Sequence, residues 1–229
     1  MINPMDLSGK HILITGASLG IGRATSILAG HLGARLSLVA RSQERLNETL
    51  AAIAGNAHRA CSFDLKNLEG IDSLVKDIVA VNGPLDGVVN CAGIGANRPI
   101  KMLKSDFLQE IFCINFFPFV ELVRSATKKN MCNDGASFIG ISSVAAIRGN
   151  KSQGAYSASK AAIDAIIKPM AKEFSNRGIR MNSVAFGMVR TDMYKYFLDA
   201  GGNDELLKAD QYLGVGETED AANVICFLL

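Results

Sequence analysis

The sequence predicts an α/β domain built on a doubly wound parallel sheet, with helices on both faces. Three observations carry that prediction. Short apolar runs alternate with helical patterns along the chain. The apolar runs are continuous rather than alternating with polar residues, as strands are when both sheet faces are covered. A glycine-rich turn at residues 16–22 separates the first apolar run from the first helical pattern. Right-handed crossovers between parallel strands then give the doubly wound form.

Taken in order, residues 11–15 read as the first strand and 20–33 as a helix. A Leu- and Val-rich strand follows at 35–40, then a helix at 43–53 and a short strand at 59–63. Residues 68–81 read as a helix and 85–90 as the fourth strand. Two helical stretches at 104–113 and 116–130 precede a fifth strand at 136–142. A long helix at 156–176 leads to a sixth strand at 179–185, and 217–228 closes the chain as a helix. Residues 190–216 are polar, mixed and carry no clear period.

A chain of 229 residues suits one domain spanning 1–229, because no linker divides it into two. A hydrophobic fraction of 48% supplies a sizeable core. The net charge of +2 gives no footprint for nucleic acid or an anionic membrane. Cys61, Cys91, Cys113, Cys132 and Cys226 form no C-x-x-C pair, and with only three histidines no metal site is expected. An odd number of cysteines spread over apolar segments predicts reduced core thiols and a cytoplasmic setting. No signal peptide and no apolar run of about 18 residues is visible.

The turn reads T-G-A-S-L-G-I-G at residues 15–22. Gly16 allows a tight turn, while Gly20 and Gly22 let phosphate oxygens approach backbone N–H groups. The following helix N-terminus adds partial positive charge for a pyrophosphate. The spacing departs from G-x-G-x-x-G, so a glycine turn that merely starts a helix is the plain alternative. At the end of the second strand, an acidic partner for the ribose hydroxyls of NAD is absent. Arg41 and Ser42 stand there instead, suited to a 2′-phosphate, so NADP(H) is preferred over NAD(H). A solvated loop charge is the competing reading of Arg41.

Tyr156 and Lys160 fall one turn apart on one helix face in the segment Y-S-A-S-K. A phenol titrates near pH 10, at about the ordinary tyrosine value, and a fixed positive charge beside it favours the phenolate. Ser143 lies upstream at the end of the fifth strand. Taken alone, a Tyr/Lys pair more often marks a solvated helix face.

Together these residues carry a specific resemblance. The chain resembles the short-chain dehydrogenase/reductase family, and within it is similar to 3-oxoacyl-[acyl-carrier-protein] reductases. The matching segments are T-G-A-S-L-G-I-G at 15–22, N-C-A-G at 90–93, Asn115, I-S-S at 141–143 and Y-S-A-S-K at 156–160. The resemblance implies a Rossmann-type fold and a catalytic tetrad of Ser143, Tyr156, Lys160 and Asn115. Tyr156 is implied as the proton donor to a carbonyl, Ser143 as its polarising partner and Lys160 as the group tuning Tyr156. Asn115 is implied to place a water, although a helix cap supported by Pro118 is its local alternative. Cofactor contacts are implied for Gly16, Ser18, Leu19, Gly20, Ile21 and Gly22, then Asp64 and Leu65 at the adenine. They continue with Asn90, Ala92, Gly93, Tyr156 and Lys160, and end with Gly187, Val189 and Thr191 near the nicotinamide.

Four departures stand out. Cys91 replaces the second Asn of N-N-A-G and is expected to face the core. Phe186-Gly187 replaces Pro-Gly after the sixth strand and is expected to loosen or reshape that loop. Pro169 is expected to bend the long helix past the active residues. The family's seventh strand would follow residue 229, where the sequence ends.

Substrate choice is assigned to residues 97–104, 145–153 and a lid at 188–214. Their cations Arg98, Lys101, Arg148, Lys151, Arg190 and Lys195 suit an acidic carrier protein as well as ordinary surface charge. The expectation is therefore a ketone-to-alcohol reductase acting on a small carbonyl or alcohol, carrier-bound in the favoured case. A sugar, polyol or steroid dehydrogenase is the runner-up, and a non-catalytic NADP-sensing scaffold the reading of another class. Apolar residues on more than one face of the helices after Asn115 and Tyr156 predict a homodimer or homotetramer.

Overall fold

In the computed structural model the described residues are 3–55, 57–199 and 211–229. They build a six-stranded parallel sheet in the order β3-β2-β1-β4-β5-β6. The strands are β1 (His11–Thr15), β2 (Arg35–Ala40), β3 (Arg59–Ser62), β4 (Leu85–Asn90), β5 (Cys132–Ser143) and β6 (Arg180–Phe186). The strand order reverses beside β1, which opens a crevice at the carboxyl ends of β1 and β4, where such sheets bind ligands.

Two apolar layers cover the sheet. On one face, α1 (Gly20–His31), α2 (Gln43–Ala51) and α9 (Thr218–Leu228) pack over Ile12, Ile14, Leu36, Leu38, Val89 and Ile139. On the other, α3 (Ile71–Asn82), α5 (Phe117–Ala126) and α7 (Gly154–Glu173) pack over Leu13, Val39, Val88 and Phe138. Alternation along each strand sends successive side chains to opposite layers, which is why the strands read as unbroken apolar runs.

Several boundaries differ from expectation. Strand β5 begins at Cys132 rather than near Ala136, because Cys132 pairs with Leu85 before a register shift that takes up the Asn-Asp-Gly stretch. Helix α3 starts at Ile71, after a turn in which Asn67 Oδ1 accepts from the Gly70 N–H at 3.2 Å. Helix α5 ends at Ala126, and Asn130 beyond it adopts a left-handed φ of 66°. The aperiodic stretch contains α8 (Asp192–Asp199), and the lid expected over 188–214 otherwise lies partly outside the described residues. Helix α4 (Ser105–Asn115) and the four-residue α6 (Ala145–Arg148), the latter unforeseen, complete the α-helices among the described residues.

Pro169 does not end its helix, since α7 runs through it to Glu173. The residue lies on the exposed side near the last turn, where the carbonyl it leaves unpaired can meet water. At the opposite end of the sheet from the crevice, His11 is fully buried. Its Nδ1 lies 2.8 Å from the Gly83 carbonyl and its Nε2 2.9 Å from Ser37 Oγ.

Candidate active site

The crevice is made by backbone that has no room for side chains. Gly16 has φ +65°, and a Cβ there would lie 2.8 Å from the Ala92 nitrogen. A Cβ on Gly22 would lie 2.3 Å from the Gly16 carbonyl oxygen. The start of α1 therefore rests directly on the end of β1, which brings N–H groups to the crevice without intervening side chains. Thr15 Oγ1 donates to Asn90 Oδ1 at 2.7 Å and accepts from the Ala92 N–H at 3.3 Å, fixing the end of β4 against β1. Asn90 Nδ2 is buried with no partner among the described residues. This glycine cradle with an unsatisfied amide fits a nucleotide cofactor. Ser18, Leu19, Gly20 and Ile21 continue the turn, with Leu19 exposed.

At the tip of β2, Arg41 is exposed and forms no ion pair with a described residue. Its carbonyl accepts from Ser62 Oγ at 2.8 Å, which sets the loop against β3. Ser42 caps α2, its hydroxyl accepting from the Arg45 N–H at 3.3 Å. Asp64 is exposed and turned onto the Lys66 N–H at 3.0 Å. The Leu65 side chain belongs to the core, so a contact from this residue to a cofactor falls to its backbone.

The tetrad residues converge at the carboxyl ends of β4 and β5. Ser143 ends β5, where its Oγ accepts from the Ala145 N–H at 3.2 Å and stands close to the Tyr156 phenol from the first turn of α7. Burial pushes the Tyr156 pKa above its ordinary value, and the Ser143 hydroxyl opposes that rise. Lys160 is buried, and Nζ donates to the Ile141 carbonyl at 2.7 Å while lying 5.8 Å from the Tyr156 ring centroid. Desolvation draws the Lys160 pKa down to about 8, opposed by Cys91 and Asp164. The net shift of the phenol is upward, with burial its largest cause, and the Lys160 ammonium faces a strand carbonyl.

Asn115 is fully buried and closes the site from below. Its Oδ1 accepts from the Ile94 N–H at 2.8 Å, and its Nδ2 donates to the Ile94 carbonyl at 3.0 Å and to Ser159 Oγ at 3.1 Å. It is the last residue of α4, so the helix-cap reading does not hold. Its amide instead brackets the loop after β4 against α7. A Cβ on Gly93 would sit 3.2 Å from Asn115 Oδ1 and 3.4 Å from Lys160 Nζ, so Gly93 lets both groups reach the crevice.

The loop after β6 is held more firmly than Phe186-Gly187 suggested. Gln211 reaches under it: Oε1 accepts from the Met188 N–H, and Nε2 donates to the carbonyls of Met188 at 3.2 Å and Gly214 at 2.8 Å. Val189 pairs with Gly216, and the Arg190 N–H donates to the Gly216 carbonyl at 2.9 Å. A Cβ on Gly187 would strike Gln211 Oε1 at 2.7 Å. Thr191 lies beside Gly20, where an added Cβ would meet its Cγ2 at 3.1 Å. Gln211 carries no local motif, and nothing in its sequence context marks it. Cys91 packs against the core as expected, and burial pushes its thiol up to about 12.

The candidate substrate loops are also joined. The Arg98 N–H donates to the Ser152 carbonyl at 2.6 Å, and its guanidinium lies 3.8 Å above the Phe107 ring. Arg190 pairs with Glu217 at 2.8 Å. Arg98 and Arg190, both assigned to a carrier, are therefore engaged within the chain. Ile100 and Met102 in a short 3-10 turn, Ile147 on α6 and Met193 on α8 are exposed apolar positions.

A doubly wound parallel sheet with a glycine cradle and a Ser-Tyr-Lys cluster at its crevice defines a nucleotide-dependent oxidoreductase. The family model described as short chain dehydrogenase matches residues 10–200, and the chain belongs to that family. It is 33% identical over 218 residues to carbonyl reductase family member 4 of Danio rerio, covering 95% of this chain and 90% of that protein. It is 32% identical over 221 residues to 3-oxoacyl-[acyl-carrier-protein] reductase of Mus musculus, covering 96% and 91%. Among solved structures, a dehydrogenase/reductase from Sinorhizobium meliloti 1021 superposes with a TM-score of 0.89 at 29% identity, covering 98% of this chain and 89% of that one. A short-chain dehydrogenase/reductase from Serratia marcescens superposes at 0.87 with 27% identity, covering 97% and 91%. Members of the family use NAD(P)(H) and act on small substrates. No helix among the described residues is long and apolar enough to cross a membrane.

Proposed function

We propose that the chain reduces a ketone to a secondary alcohol with NADPH, and that 3-oxoacyl groups on an acyl-carrier protein are its substrate class. The observation that carries the reading is the placement of Ser143 and Tyr156 together beside buried Lys160 at the crevice of a glycine cradle. The turn from Gly16 through Ser18, Leu19, Gly20 and Ile21 to Gly22 holds the pyrophosphate, and Arg41 with Ser42 meets the 2′-phosphate. Asp64 and the Leu65 backbone border the adenine. Asn90, Ala92, Gly93, Tyr156 and Lys160 line the ribose side, and Gly187, Val189 and Thr191 the nicotinamide side. The bound cofactor supplies the hydride. Tyr156 gives its proton to the carbonyl oxygen, and Ser143 orients and polarises that oxygen. Lys160 supplies positive charge as the phenolate forms, while Asn115 fixes the wall that positions Lys160.

The apolar rim of Ile100, Met102, Ile147 and Met193 favours an acyl chain over a sugar. A steroid or other apolar ketone is the second reading that this rim supports. Lys101, Lys151 and Lys195 remain candidate contacts for an acidic carrier. The same reading makes 1–229 a single cofactor-binding unit with a substrate lid at 188–214. Five free cysteines support a reducing, cytoplasmic setting. The Phe112, Phe116 and Phe117 ring cluster on α4 and α5, with Phe117 partly exposed, supports a homodimer or homotetramer. A monomer in sedimentation would defeat that assembly.

The activity is tested by following NADPH absorbance with 3-oxoacyl thioesters, sugars and steroid ketones. Turnover of the thioesters is the expected result. Tyr156→Phe keeps the ring and should bind NADPH while losing reduction by about a hundredfold or more. Turnover at the parental rate in that variant would remove Tyr156 from the chemistry.

A further inference from the structure

Near Lys160 lies a carboxyl-bearing residue that the catalytic reading leaves without a role. Asp164 follows Lys160 by one helical turn on α7, so both side chains start from the same face. Asp164 Oδ2 accepts from Ser142 Oγ at 2.8 Å, and the same hydroxyl lies 3.3 Å from the Lys160 carbonyl. Asp164 Oδ1 is shielded from solvent and has no partner among the described residues. Ser142 is buried and stands between Ile141, whose carbonyl receives the Lys160 ammonium, and Ser143, which lies beside Tyr156. One carboxylate therefore reaches, through one hydroxyl, the strand end that carries Ser143 and receives the Lys160 ammonium.

We propose that Asp164 is a positioning residue for Lys160, tying the end of β5 to α7 through Ser142 and supplying the counter-charge that keeps the buried ammonium protonated. The inference rests on the reductase reading for its purpose but not for its test. A buried cation without a nearby carboxylate loses its proton more readily, because desolvation penalises the charged form. The groups facing Lys160 are few. From the segment after β4 comes the Cys91 thiol, whose own ionisation burial suppresses. From β5 come Ser142, Ser143 and the Ile141 carbonyl, from α4 the neutral Asn115 amide, and from α7 itself Tyr156 and Asp164. Asp164 is the one carboxylate among them. The direction of its influence on Lys160 agrees, since Asp164 opposes the desolvation of the ammonium.

The test is the titration of Lys160 itself, read from its side-chain carbon shift in lysine-labelled protein and assigned with Lys160→Arg. Asp164→Asn keeps an acceptor for Ser142 and removes the charge. It should move the Lys160 midpoint down by roughly half a pH unit or more. Asp164→Glu should return the midpoint toward the parent. Ser142→Ala releases the carboxylate and should move the midpoint the same way by less, which keeps the test open if Asp164→Asn does not fold. A Lys160 titration in Asp164→Asn that overlays the parent would overturn the proposal, as would an unmoved midpoint in Ser142→Ala if only that variant folds. No substrate is needed, so a chain that reduces none of the carbonyls loses the proposed activity while the titration still judges Asp164. Where reduction is measurable, the alkaline limb of kcat/KM should move with the lysine.

Discussion

The Lys160 ammonium is bonded to the Ile141 carbonyl at 2.7 Å, not to the Tyr156 phenol. The charge that the sequence places beside the tyrosine is thus parked on the strand that ends in Ser143. Holding it there is unfavourable, since burial draws the Lys160 pKa from its ordinary value near 10.5 down to about 8.

That cost gives a stability prediction with a definite sign. Between pH 8 and 10.5 the unfolded chain binds more protons at Lys160 than the folded one. Its contribution to stability therefore rises with pH through that window, and the penalty is fully present below it. Lys160→Met should raise the denaturation midpoint at pH 7, by a net gain on the order of 1–3 kcal/mol, while abolishing reduction. The gain should shrink toward pH 10. Urea titrations of both proteins at the two pH values check it, and a less stable variant at pH 7 would refute it.

Gly22→Ala tests the cradle. The new methyl would lie 2.3 Å from the Gly16 carbonyl oxygen, and the obstacle is backbone on both sides. The start of α1 must lift from the end of β1, at about 1–3 kcal/mol of stability. Calorimetry should show a lower Tm, and cofactor titration a weakened site. Unchanged values for both would mean that helix and strand are less closely seated than their contact distance requires.

Arg41→Ala addresses cofactor choice. Arg41 is exposed and unpaired by any described carboxylate, so its charge is available to a 2′-phosphate. The parent should prefer NADPH to NADH by at least about 1 kcal/mol, and the variant should lose most of that preference. Equal affinities in the parent would return Arg41 to an ordinary loop charge.

Acid should weaken the fold through His11. Burial lowers its pKa below the ordinary value near 6.5, so the unfolded chain binds the extra proton first as pH falls. The stability His11 permits is present above about pH 6.5 and declines below it. Replacing His11 with Gln should flatten this dependence in melting curves recorded between pH 5 and 7.5. An identical slope in the variant would assign the acid sensitivity elsewhere.

The parts legible in the sequence were those fixed by short-range patterning. The spacing of Tyr156 and Lys160, the glycine turn and the apolar runs of β1, β2 and β4 are local, and the structure keeps them. What escaped depends on partners distant in the chain. The Asn-Asp-Gly stretch in β5 reads as a turn, yet pairing between Leu85 and Cys132 carries the strand past it. Asn115 reads as a cap until Ile94 and Ser159 claim its amide. The proline missing after β6 suggested a slack loop, but Gln211 bonds both polar groups of the Met188 backbone. Such side-chain to backbone contacts have no period, and only the folded chain brings them together.

Gln211 also bears on how this enzyme can change. It secures the far end of the stretch that begins at Met188, so both ends of the stretch are moored to the same strand exit. The entropy of closing a chain segment grows only with the logarithm of its length, about 0.6 kcal/mol per doubling. Changes in the length of this stretch therefore cost little chain entropy at the strand exit. Exchanges there reach the chemistry where they touch Thr191, which lies against Gly20 of the glycine turn.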